Sequence, residues 1–126
     1  MTESSNPHLR LEYMARINRV IDYIDKHLNQ PLRLDELAQV AHFSPFHFHR
    51  IFGALMQESL NQFIRRLRTE KAADFLVSYP QKSITEIALD CGFSDQSHFI
   101  RQFKLYSGMK PQDYREAILS NTPNSE

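Results

Sequence analysis

Two short sets of side chains in this sequence have types and spacing suited to chemistry. The first is Phe46, His49, Arg50 and Gly53; the second is Gln96, Ser97, Ile100, Arg101 and Lys104. Arginine's fork of N–H groups fits the two acceptors on a guanine edge, glutamine fits adenine, and an exposed apolar group fits a thymine methyl. This is the chemistry of contacting base edges, not of breaking bonds. Each set lies in one copy of a repeated pattern. Ala38, Ala41, Phe43 and Ser44 match Ala88, Cys91, Phe93 and Ser94 at an offset of 50. His47, Phe48, Arg50, Phe52 and Phe63 match His98, Phe99, Arg101, Phe103 and Tyr114 at an offset of 51. One residue is therefore inserted between the first and second helices of the later copy. Each copy reads as an apolar helix, a tight turn and a second helix with a basic outer face. That is the layout of a helix-turn-helix unit, whose second helix can lie in the DNA major groove.

The elements that must position these residues are set by periodicity and capping. Met14, Ile17, Ile21, Ile24 and Leu28 recur at helical spacing, which predicts a first helix from about Leu11 to Leu28. A second, Asp35–Ala41, turns Leu34, Leu37, Ala38 and Ala41 inward. Ser44 with Pro45 opens a third, to about Leu55. Its Phe48, Ile51, Phe52 and Leu55 face the core, so Phe46, His49, Arg50 and Gly53 face out. Ser59 caps a fourth helix that Pro80 stops. Running from Ser59 to Tyr79, it would span roughly 30 Å, close to the roughly 34 Å after which the major groove returns to one face of DNA. Ser83-Ile84-Thr85-Glu86 is a capping box opening a fifth helix that ends at Gly92. Ser94 caps a sixth, to Ser107 and Gly108, with Phe99, Phe103 and Tyr106 inward; Pro111 starts a seventh, to about Leu119.

The expected organisation is a disordered N-terminus over 1–10 and a first helix-turn-helix subdomain over 11–57. A linker helix over 58–80, a second subdomain over 81–119 and a tail or linker over 120–126 complete it. The fold class is all-α. Three glycines, no tryptophan and few β-branched runs argue against an all-β fold.

Net charge is zero, but its distribution is not uniform. Residues 42–71 hold Arg50, Arg65, Arg66, Arg68 and Lys71 against Glu58 and Glu70, and residues 96–115 hold Arg101, Lys104, Lys110 and Arg115 against Asp113. Positive charge thus falls on the two second helices and on the segments C-terminal to them, where phosphates would lie. Ser44, His47, Arg65, Arg66, Arg68, His98, Lys104 and Lys110 are the candidate phosphate contacts. His47 and His98 are repeat-equivalent, which implies a shared role in capping or phosphate contact.

Other chemistries find little support. His47 and His49 point to different faces of one helix, and no CxxC or HxxxH pair exists, so no metal or cofactor is expected. No nucleophile–base pair, carboxylate pair or glycine-rich phosphate loop can be assembled, so the chain does not read as an enzyme. Cys91 occupies the place of Ala41 and reads as a small buried residue; a single cysteine suits a reducing cytosol. No apolar run approaches the roughly 18 residues of a membrane span, and the first residues lack the character of a signal peptide.

The residues Ile87-Ala88-x-x-Cys91-Gly92-Phe93-x-x-x-Ser97-x-Phe99-x-Arg101-x-Phe103-Lys104, then Gly108-x-x-Pro111-x-x-Tyr114-Arg115, resemble the DNA-binding domain of the AraC/XylS family of bacterial transcription regulators. The resemblance runs from about Ile17 to Ile118. It implies seven homeodomain-like helices, two helix-turn-helix subdomains joined by a long linker helix, and binding to promoter DNA as an activator. Carried over position by position, the base-reading residues are Phe46, His49 and Arg50, then Gln96, Ser97, Ile100 and Arg101. The chain departs from the family pattern at Arg33 and Lys110, where a Ser or Thr cap is usual, and at Gln57, where glycine is usual. The arrangement is similar to the small MarA/SoxS/Rob-type regulators. Two readers in one chain as a tandem repeat predict binding as a monomer, an activator would also need a contact with RNA polymerase, and the expected location is the cytoplasm, at the bacterial nucleoid. A small-molecule effector would require a further domain. Two other classes remain open at this level: a helical module that binds an acidic protein through the same basic faces, and a ligand sensor completed by residues beyond this sequence.

Overall fold

The structure, a computed structural model, describes residues 7–121; the expectations for 1–6 and 122–126 lie outside them. It consists of seven helices, α1 (Pro7–Lys26), α2 (Leu34–Val40), α3 (Pro45–Met56), α4 (Leu60–Ser78), α5 (Ile84–Asp90), α6 (Gln96–Ser107) and α7 (Pro111–Ser120). There is no strand among the described residues. Two compact units divide between Ile64 and Arg65, inside α4. The expected linker helix over 58–80 is thus one helix whose first turn belongs to one unit and whose remainder belongs to the other. Ser59 and Gln62 start it with a reciprocal cap: the Gln62 N–H donates to Ser59 Oγ at 3.1 Å, and the Ser59 N–H to Gln62 Oε1 at 3.0 Å.

In the first unit α1, α2 and α3 pack on one another. Ile17, Val20, Ile24 and Leu28 meet Leu37, Ala38, Ala41, Phe48 and Phe52, with Leu60, Phe63 and Ile64 of α4 also buried. The Phe52 and Phe63 rings meet edge-on at 5.4 Å. The α2–α3 turn is a Schellman closure. The Phe43 N–H reaches back to the Ala38 carbonyl at 3.0 Å and the His42 N–H to Gln39 at 3.0 Å. His42 takes a left-handed φ of 60° to allow it. Arg16 braces this strained residue by donating from Nη1 to the His42 carbonyl at 3.1 Å, with its guanidinium carbon 4.7 Å from the Phe43 ring centre.

The second unit repeats the design. Ala72, Leu76, Ile87, Ala88, Cys91, Phe93, Phe99 and Phe103 form one buried cluster, with Ile84, Phe75 and Tyr114 packed on it. The Phe93 N–H reaches the Ala88 carbonyl at 2.9 Å and the Gly92 N–H reaches Leu89 at 3.1 Å. Gly92 takes the left-handed turn, φ 94°, without a Cβ to hinder it. The repeat of alanine and phenylalanine in the sequence is therefore a repeat of hydrogen-bond partners. The Ser83–Glu86 capping box is present in full.

Several expectations change. The first helix begins at Pro7 rather than Leu11, because proline suits the first helical position. Leu34 and Tyr106, expected inward, are exposed. Leu34 is the first residue of α2, where the helix has not yet turned its face to the core. The Tyr106 hydroxyl instead reaches the Glu70 carboxylate at 3.3 Å. The α6 cap is Asp95, not Ser94: its Oδ1 accepts from the His98 N–H at 2.8 Å, as Ser44 Oγ accepts from the His47 N–H at 3.2 Å. An N-cap stands two or three residues before the amide it accepts from, and Ser94 stands four before His98. By its cap the structural equivalent of Ser44 is therefore Asp95, at an offset of 51, and Ser94, matched to Ser44 in the sequence, is the inserted residue. Arg33 and Lys110 make no side-chain cap bonds, and Gln57 ends α3 at φ 59°, as their departures from the family pattern imply.

Left-handed backbone costs a side-chain-bearing residue about 1–2 kcal/mol. Gln57→Gly is therefore expected to stabilise the protein by about 1 kcal/mol, seen as a higher urea midpoint; an unchanged or lower midpoint would remove the strain argument. Phe103→Ala should cost about 3–5 kcal/mol and abolish hydrogen-exchange protection across α5–α7 while α1–α3 keep theirs. Loss in α1–α3 as well would show one cooperative unit.

Candidate nucleic-acid interface

The two outward faces are produced by the same local rules. Pro45 sets the first turn of α3, and buried Phe48 and Phe52 fix its rotation. With those inside, Phe46, His49 and Arg50 are exposed on one face, and Gly53 is half-buried beside them. Phe46 is 72% exposed, with the Arg50 guanidinium carbon 5.8 Å from its ring centre. The ring stands as an outward group beside that cation. In α6, buried Phe99 and Phe103 leave Gln96, Ser97, Arg101 and Lys104 exposed and Ile100 half-buried on the opposite side. All seven proposed base-reading residues therefore occupy the outer faces of α3 and α6.

The candidate phosphate contacts separate into groups. Arg65, Lys104, Lys110 and Ser44 are exposed. Arg66 is held by Glu70 at 3.2 Å. Arg68 is half-buried, and burial lowers its guanidinium pKa. His47 and His98 do share a role. Each is half-buried, its N–H is the one the cap accepts, and its ring lies edge-on to the turn phenylalanine, His47 to Phe43 at 5.1 Å and His98 to Phe93 at 5.6 Å.

Arg115 does not belong to the basic surface. It is only 8% exposed, and its Nε and Nη2 donate to the Leu76 and Tyr79 carbonyls at 2.8 and 3.1 Å. The last turn of α4 leaves carbonyls without helical partners; the buried one of Leu76 takes its donor from Arg115, while that of Tyr79 also accepts from the Lys82 N–H at 3.0 Å. Burial pushes the Cys91 thiol up to about 11, which suits a core residue and not a nucleophile.

Sequence reasoning missed three features. Leu105, 77% exposed, and Gly108 extend the α6 face into an open groove of about 370 Å³ shared with Ile100, Arg101 and Lys104. Thr85 hydrogen-bonds Gln96. Arg115 turns inward. The outward stripe, continued one residue to Leu105, would have found the first; nothing in the sequence signals the other two. Among the described residues, no group of three His, Cys, Asp or Glu side chains is arranged to hold a metal ion, and no helix is long and apolar enough to cross a membrane.

Residues 37–117 match the protein family described as a helix-turn-helix domain. The chain is 32% identical over 108 residues to the regulatory protein SoxS of Salmonella typhimurium, covering 86% of this chain and 100% of SoxS. It is 32% identical over 100 residues to the bifunctional transcriptional activator/DNA repair enzyme AdaA of Bacillus subtilis, covering 79% of this chain and 47% of AdaA. The DNA-binding domain of AdpA, a global transcriptional factor solved in complex with a target DNA, matches with a TM-score of 0.81 at 25% identity, over 87% of this chain and 98% of that one. The chain spans less than half the length of several curated relatives, 47%, 35% and 38% of three of them. Repeated turns, caps and outward basic faces define a tandem helix-turn-helix domain. The chain belongs to the AraC/XylS family of DNA-binding domains.

Arg101→Ala is expected to cost about 1–3 kcal/mol on a preferred duplex and to relax selection at one or two base pairs. Arg65→Ala should weaken all duplexes alike and lower the salt slope by about one unit. Fluorescence anisotropy on specific and random duplexes separates the two; equal losses would refute the division of roles.

Proposed function

We propose that this chain is a sequence-specific transcription regulator, acting as an activator, that places α3 and α6 in successive major grooves of promoter DNA. The observation that carries this reading is the duplication itself. Two turns with matching hydrogen bonds each present a helix whose outer face holds an arginine at the same repeat position, Arg50 and Arg101. On this reading Phe46, His49, Arg50, Gln96, Ser97, Ile100 and Arg101 meet bases. Ser44, Arg65, Lys104 and Lys110 meet phosphates directly, while His47 and His98 hold the recognition helices and Arg66 and Arg68 contribute less. The chain works by binding and not by catalysis, in the bacterial cytoplasm at the nucleoid. The name of AdaA as a transcriptional activator supports activation, and an activator needs a contact with RNA polymerase.

A tandem repeat within one chain has no two-fold axis that would demand a palindrome. Selection from a random duplex library should therefore return an asymmetric site of roughly two major-groove turns, and sedimentation of the complex should give one chain per site. Two chains on a palindrome, or no enrichment at all, would overturn the proposal.

A further inference from the structure

We propose that Thr85 is a positioning residue that sets which base Gln96 reads; this rests on the reading that α6 lies in the major groove. Thr85 is the second residue of α5 and Gln96 the first of α6. The two exposed side chains meet across the turn, with Thr85 Oγ1 donating to Gln96 Oε1 at 2.7 Å. That is the favoured length of a hydroxyl hydrogen bond. Among the described residues, Gln96 Nε2 has no side-chain or backbone acceptor.

A free glutamine reads adenine with both ends of its amide, the oxygen accepting from N6–H and the nitrogen donating to N7. Here the hydroxyl of α5 holds the oxygen, so the amide is turned with its N–H groups outward. With one of the oxygen's two lone pairs taken and the N–H groups leading, the amide fits best the acceptors of the keto bases, guanine N7 and O6 or thymine O4. Against adenine the N6 donor must share an oxygen the hydroxyl already engages, a poorer pairing that is penalised when water is excluded. The expectation drawn from glutamine alone, adenine, is thereby reversed by a neighbour eleven residues earlier.

The first unit has no such pair. The repeat equivalents of Thr85 and Gln96 are Asp35 and Pro45. The Asp35 carboxylate accepts from the Glu36 N–H at 3.0 Å and lies 3.5 Å from Arg33 Nε. The device belongs to the second unit.

Selection from a random duplex library would be run on the full chain and on Gln96→Ala, Thr85→Val and Thr85→Ser. The wild type should prefer guanine or thymine at one position that Gln96→Ala levels. Thr85→Val, which removes the hydroxyl but keeps the shape, should move that position toward adenine by about fivefold, and Thr85→Ser should keep the wild-type preference. A merely structural bond would lower the melting temperature or weaken every duplex and leave the base profile alone. An unchanged profile in Thr85→Val, or an equal loss on all duplexes, overturns the inference. An unchanged profile in Gln96→Ala overturns it too, by removing Gln96 as a reader, while Arg101 selectivity would keep the DNA-binding reading standing. No enrichment by the wild type would defeat both.

Discussion

The rest of the structure depends on closing a helix within two residues without leaving buried amides unpaired. Each recognition helix must come almost at once after a short helix of seven residues. The Schellman closure does this by sending the phenylalanine N–H back to an alanine carbonyl, Phe43 to Ala38 and Phe93 to Ala88. The closure requires one left-handed residue. It also carries the phenylalanine ring to where the first turn of the next helix begins, against His47 or His98. Rotation of the recognition helix, and so the choice of outward residues, is set by that one junction together with the two phenylalanines buried beneath it.

The units solve the left-handed requirement differently. Gly92 meets it without strain, while His42 meets it with help from Arg16, which bonds its carbonyl and stacks on Phe43. Arg115 serves the second unit in a comparable way, satisfying carbonyls at the end of α4. In both places an arginine from a distant helix donates to backbone carbonyls at a helix end. These two cations are thereby committed to the fold. The surface that can meet phosphates is smaller than the charge count implies.

A neutral chain can still present positive faces, because its acids lie elsewhere or are already paired. Glu70 holds Arg66 and accepts from Tyr106, and Asp90 holds Lys82 at 2.6 Å. What remains on the outer faces of α3 and α6 is mostly polar or cationic: His49, Arg50, Gln96, Ser97, Arg101 and Lys104. Phe46 and Leu105 are the exposed apolar groups among them. On the proposed reading, selectivity then depends on how each group is aimed. The Thr85–Gln96 bond holds one of these side chains in place without changing composition.

Helical period, most caps and the repeat were legible in the sequence because each is a local matter; the α6 cap, Asp95 in place of the expected Ser94, and the outward turn of Tyr106 were not. Spacing at three and four residues fixes which side of α3 and α6 is buried, and Ser44, Ser59, Ser83 and Gly108 mark helix ends through bonds within a single turn. The family pattern rests on the same local features, so it was legible too. What only the tertiary structure decided involves partners far apart along the chain. Arg115 turned inward because the carbonyls it serves lie 36 and 39 residues earlier. Gln96 was given its aim by a hydroxyl on another helix, and Arg16 found its carbonyl 26 residues away. A side chain's type states what it can donate or accept, but which acceptor comes within about 3 Å of it is set by packing, and packing is not written in spacing.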